Sequence, residues 1–211
     1  MLALTFLRAE ATGPFDNRRR PKPRGRAPGA WFAGGLACQP SQLAYWCSDE
    51  LWEVELDGEI VVGRFRMEVE RARLMRKLTT WNSAVHREFA WECIAHGRDA
   101  VREALRRAGH LPEADLMSVA TGLLDTYSWS IGSVSTDLAS AVGILGEAVS
   151  DLHAGQANLA TYQCSLAVGA ARAGGLHGET KIFDDGVHAE RAWQSRWLAD
   201  RLDVDDLLQR P

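Results

Sequence analysis

The chain has 211 residues, of which 46% are hydrophobic and 25% charged, and its formal net charge is −4. This length fits one domain, or one domain with a tail, and the composition is that of a globular protein. No apolar run approaches the roughly 20 residues of a membrane span, and Met1–Phe6 is too short for a signal-peptide core.

Charge is distributed unevenly. Residues 1–48 carry seven Lys/Arg and two acids, a balance of +5, which leaves −9 on residues 49–211. Phosphate contacts supply most nucleic-acid affinity, so an acidic body argues against nucleic-acid binding by the folded domain. Cys38, Cys47, Cys93 and Cys164 lack paired spacing. A disulfide framework is therefore not expected, and a reducing cytoplasm fits better. Ala30–Ala37 ahead of Cys38 has the outline of a lipoprotein signal, but it is broken by glycine and lacks the aliphatic residue expected at Gly35.

In chain order, residues 1–45 read as a disordered tail rich in basic residues, Pro and Gly. The run Arg18-Arg19-Arg20-Pro21-Lys22-Pro23-Arg24 repels itself and lacks backbone donors at its prolines. A basic arm for nucleic acid or anionic lipid is the functional alternative, and a translated leader ahead of the true start is another. Residues 46–211 then form a single globular domain. Trp52, Val54 and Leu56 alternate with acids, Asp57-Gly58 is a hairpin signal, and Phe65, Met67 and Val69 alternate again. An antiparallel meander is predicted over 50–70, followed by a short helix around Leu74–Leu78.

Asn82 or Ser83 caps the next helix. At ~100° per residue, its apolar positions from Val85 to Ala108 share an arc of about 160°, and Gly109 and Pro112 end it. Further helices are expected over 113–127, 136–153, 156–172 and 187–202, with a polar link at 128–135 and a loop at 176–186. The fold class is mainly α within α+β: a small antiparallel β-hairpin or meander, then an antiparallel bundle of about five helices.

Two clusters could carry chemistry. His86, Cys93 and His96 share a helix, but His86 and Cys93 are about 10 Å apart in rise, so a buried histidine and a core cysteine are the plainer account. His177, Asp184, Asp185 and His188 offer metal-ligand types in one segment. Helix capping by Asp184 or Asp185 is the competing account. No phosphate loop, dinucleotide fingerprint or nucleophile elbow is present, so no cofactor is expected and no catalytic residue is assigned.

Eight tryptophans stand at positions 31, 46, 52, 81, 91, 129, 193 and 197. Each is either a core anchor or an anchor for a partner. Trp52 and Trp81 fit the core. Trp91, at the margin of its helix's apolar arc, and the Trp193/Trp197 ridge are the candidates for partner binding.

The segments Leu51–Ile60 (LWEVELDGEI) and Arg71–Leu78 (RARLMRKL) resemble the opening of helical proteins of GC-rich actinobacteria. Glu190–Leu202 (ERAWQSRWLADRL) is similar to the C-terminal helix of alanine-rich helical proteins labelled as immunity proteins. The resemblance covers about a fifth of the chain and implies a small cytoplasmic helical protein that binds another protein. The leading expectation is a non-enzymatic interaction module, immunity-like or antitoxin-like, whose acidic surface suits a basic partner. It entails no membrane and no nucleic acid bound by the folded domain. The alternative is a small metal-dependent enzyme using His177, Asp184, Asp185 and His188.

Overall fold

A computed structural model describes residues 1–9, 11–13, 18–23, 29–119, 136–174, 180–204 and 208. Among them are four strands, β1 (Leu2–Leu7), β2 (Phe32–Ala37), β3 (Glu50–Val62) and β4 (Met67–Lys77), and a short 3-10 helix, Pro40–Tyr45. Five α-helices follow: α1 (Ser83–Arg107), α2 (Leu111–Val119), α3 (Thr136–His153), α4 (Ala157–Ala173) and α5 (Thr180–Leu202). The protein is a mixed α+β chain. It divides into two compact units, the first Met1–His86 with Ala192–Pro211, the second Arg87–Arg191.

The first unit is built on an antiparallel sheet of order β1-β3-β4-β2. Its outer strands meet through a backbone bridge between Leu4 and Cys38, so the sheet curls back on itself. Inside the curl lie Ala3, Leu7, Ala37, Trp52, Val54, Leu56, Met67, Val69, Ala72 and Leu74. On the other face of the sheet, also buried, Phe6 meets Trp81 edge-on at 5.4 Å, and the Trp81 indole donates to the Ser48 carbonyl at 2.8 Å.

Residues 1–45 are therefore not simply a tail, because they supply β1 and β2. Leu2–Leu7 shows no alternation because both faces of β1 are covered. The basic stretch is used as well. Arg20 lies over the Phe32 ring, and Lys22 lies over Trp52 and bonds Glu50. Glu50 also accepts from the Trp52 indole and from Lys77. Burial pushes the Glu50 carboxyl up, but those bonds from Trp52, Lys77 and Lys22 outweigh it and hold the group below its usual range.

The meander expected over 50–70 is a single long hairpin. Asp57-Gly58 lies within β3, where the register shifts and Gly58 takes φ +81. It makes a bulge, and the turn falls at 63–66, closed by the Gly63 N–H to the Arg66 carbonyl. No helix forms at Leu74–Leu78. β4 runs through to Lys77 because Arg71, Arg73 and Arg76 pair across the strands with Asp57, Glu55 and Glu53.

Helices α1, α3 and α4 stand where the apolar period places them. The Asn82 side-chain oxygen caps α1 by accepting from the N–H groups of Ala84 and Val85. In the second unit, α3 and α4 pack as neighbours across a three-residue turn. Gly97 of α1 lets the helix approach Leu145 and Cys164, and Gly186 of α5 lies on Gly169 of α4. α5 begins at Thr180, seven residues before the expected start. The expected link at 128–135 lies outside the described residues.

Candidate functional site

The metal-ligand candidates do not form a ligand set among the described residues. Asp184 and Asp185 are exposed within α5, and Asp185 accepts from Lys181 one turn earlier at 2.5 Å. Neither caps the helix, because α5 has already made its first turn before them. His188 is half-buried, and His177 lies outside the described residues. No group of three or more His, Cys, Asp or Glu side chains among the described residues could hold a metal ion.

A histidine–carboxylate pair does form, between groups 94 positions apart. Glu190 of α5 has a side chain only 1% exposed, and its Oε2 lies 2.8 Å from Nδ1 of His96 on α1. His96 keeps its outer edge toward solvent. The bond to Glu190 raises its pKa above the usual imidazole value. Burial opposes that rise, the charges of Glu190 and Asp99 reinforce it, and Arg172 opposes it. The pair ties α5 to α1 by a charge-assisted bond. Beside it, buried Arg191 lays its guanidinium over the Tyr162 ring at 5.1 Å. Cys93 and Cys164 are fully buried, and burial pushes the Cys164 thiol far up, so neither is a nucleophile.

In the first unit, a cleft of about 290 Å³ is lined by Arg76, Lys77, Leu78, Thr79, Thr80, Leu202 and Asp203. Its two cations already pair with Glu53 and Glu50, so it offers a ligand little charge.

The tryptophans sort by burial. Trp52 and Trp81 are core, at 6% and 3% exposure. Trp31 stacks against Arg71 and Arg73 and so belongs to the sheet. Trp193 and Trp197 are half-buried on the part of α5 that belongs to the first unit. Trp91 is about as exposed as Trp31, at 36% against 38%, but its ring meets His153 edge-on at 5.8 Å instead of lying against arginines. Exposed Glu88 and Glu92 stand to one side of it on α1, and exposed Arg87, one turn before it, stands to the other. An exposed aromatic with acids on one flank, supported by a second ring, can anchor a partner surface.

Net charge sharpens the picture. Residues 87–191 hold eight Lys/Arg and fourteen Asp/Glu, a net −6, whereas the remaining residues sum to +2. The acidity read from the sequence is concentrated in the helical unit that carries Trp91. Among the described residues, no helix is long and apolar enough to cross a membrane. No protein-family model, no curated protein and no solved structure matches the chain at a significant level.

Proposed function

We propose that the protein works by binding another protein with a basic surface, and that Trp91 anchors the contact. The observation that carries this reading is Trp91 itself, a large aromatic left 36% exposed with exposed Glu88 and Glu92 on one flank. Burying such a ring against a partner releases much apolar surface, and an acidic rim steers a basic partner and excludes acidic ones. The net −6 of the helical unit acts in the same direction. The sharpest form is an immunity-like or antitoxin-like role, in which the helical bundle neutralises a basic, nuclease-like protein in the cytoplasm. The four free cysteines support that location.

The test uses the tagged full-length protein to capture proteins from a lysate of its source organism, beside Trp91→Ala and a Glu88→Gln/Glu92→Gln variant. The reading expects a basic protein that is enriched by the unsubstituted chain, lost with both variants, and released as salt is raised. Thermal unfolding checks that the variants remain folded. If folded Trp91→Ala captures every protein that the unsubstituted chain does, the reading is wrong.

A further inference from the structure

We infer that His96 accepts a phosphoryl group on Nε2 from an acyl-phosphate donor, with Glu190 fixing its ring and Arg172 drawing in the transferred group. The three side chains come from three helices of the second unit, α1, α5 and α4. The inference is independent of Trp91.

The division of burial within the pair points to chemistry at the outer edge of the ring. A carboxylate with 1% side-chain exposure is costly to bury, yet the imidazole it holds is 42% exposed. The 2.8 Å bond at Nδ1 keeps the proton of the neutral ring on that nitrogen and sets the lone pair on Nε2. A carboxylate behind the ring also makes that lone pair more basic. This is an activated nucleophile with its orienting group in place. Cys164, packed against neighbouring Gly97, is buried with its thiol pushed far up. The imidazole is therefore the nucleophile itself, not a base for a thiol.

Charge favours a phosphoryl donor. The Arg172 side chain lies against Gly186, one turn before Glu190 on α5, and its charge reaches His96. Arg172 is exposed, and a guanidinium matches phosphoryl oxygens in geometry and charge. Asp99, whose charge also reaches the ring, is held by Arg98 at 3.3 Å and by Arg102 at 3.4 Å. Arg98, Arg102, Arg172 and Arg191 thus stand against Asp99, Glu190 and, one turn before His96, Glu92. The spot is locally cationic within a unit of net −6.

In the transfer, the Nε2 lone pair attacks phosphorus, an N–P bond forms and the P–O bond to the acyl group breaks. The electron pair leaves with the carboxylate. The ring keeps its proton on Nδ1, and buried Glu190 offsets the positive charge that the ring gains. With that proton committed to Glu190, the pair has none for a leaving group. The donor is therefore one whose leaving group departs as an anion, which selects an acyl phosphate over a phosphate ester.

The experiment incubates the full chain with acetyl phosphate and locates the label by mass spectrometry under alkaline conditions, where an N–P bond survives. The expected result is an acid-labile phosphoryl group on His96, formed at least about tenfold faster than on His153, which is exposed on the same unit. Glu190→Gln and Arg172→Ala should each slow labelling of His96 about tenfold, the rate equivalent of one charge-assisted hydrogen bond in the transition state. Circular dichroism checks that both variants are folded, and the ratio of His96 to His153 in the unsubstituted chain decides the matter without them. No label on His96, equal rates at His96 and His153, or a His96 rate indifferent to folded Glu190→Gln would each overturn the proposal and leave the pair a structural tie.

Discussion

Removing either half of the His96–Glu190 pair should cost very different amounts. The Glu190 side chain is 1% exposed and that of His96 is 42% exposed. His96→Ala strips a buried carboxylate of its histidine, a perturbation on the scale of about 3–5 kcal/mol for a broken buried pair. Taking the low end, because solvent reaches the histidine side and screens the pair, about 3 kcal/mol corresponds to roughly 6–12 °C in Tm for a chain of this size. Glu190→Gln leaves no buried charge, and its amide can still bond a neutral imidazole, so the loss is about 1 kcal/mol, or roughly 2–4 °C. The pH dependence follows from the raised His96 pKa. A group whose pKa is higher folded than unfolded stabilises fully below its unfolded value, and that contribution is lost as pH rises through the folded one. The gap between the unsubstituted chain and Glu190→Gln should thus be widest near pH 6 and close on the alkaline side of the imidazole range. Circular dichroism melts at several pH values between these limits measure it. Equal losses for the two substitutions, or a gap that does not change with pH, would refute the account of an exposed histidinium holding a buried carboxylate.

Four further outcomes follow from the packing. Gly169→Ala should destabilise by about 2 kcal/mol, because its Cβ would lie 2.7 Å from Val187 and 2.9 Å from the Phe183 carbonyl, forcing α4 and α5 apart. Gly143→Ala, with open space around its Cβ on the same class of element, should instead stabilise by about 0.5–1 kcal/mol; chemical denaturation of both variants reads the opposite signs. Gly58→Ala should lower stability by about 1–2 kcal/mol, because φ is +81 and the Cβ would press on the Glu70 carboxylate, and amide exchange should quicken first in β3 near the bulge. In the folded chain, a thiol reagent should modify Cys47 alone. Cys38, Cys93 and Cys164 are buried, and burial pushes the Cys38 and Cys164 thiols up; mass spectrometry of the labelled protein identifies the site.

Much of the helical half was legible in the sequence because its information is local. The arc from Val85 to Ala108, the Asn82 cap and the 3.6-residue stripes of α3 and α4 each lie within one element. The sheet was harder, because its partners are distant. Leu2–Leu7 carries no alternation to read, and Phe-Ala-Gly-Gly-Leu-Ala in β2 looks like a break until Gly35 is seen lying on Val69 and Phe32. Asp57-Gly58 did mark a residue with positive φ, but tertiary pairing used it for a bulge rather than a turn. Leu74–Leu78 read as a short helix because the carboxylate partners of Arg71, Arg73 and Arg76, which hold this stretch in β4, lie 14 to 23 positions away. A longer separation, 94 positions, hid the His96–Glu190 pair, whereas Trp91 was visible from its place at the edge of a helical arc.

The order of the sheet has a consequence for synthesis. β1 and β2 are made first, yet neither pairs along its length with the other; each needs a strand of the β3–β4 hairpin, which leaves the ribosome later. The hairpin can close by itself from neighbouring residues, so it is the natural template on which the earlier strands settle. Until then, the apolar Leu2–Leu7 segment has no edge to join. The newborn chain is thus most vulnerable to sticking during the interval between residues 7 and 77, and a pause in translation ahead of the hairpin would lengthen that exposure.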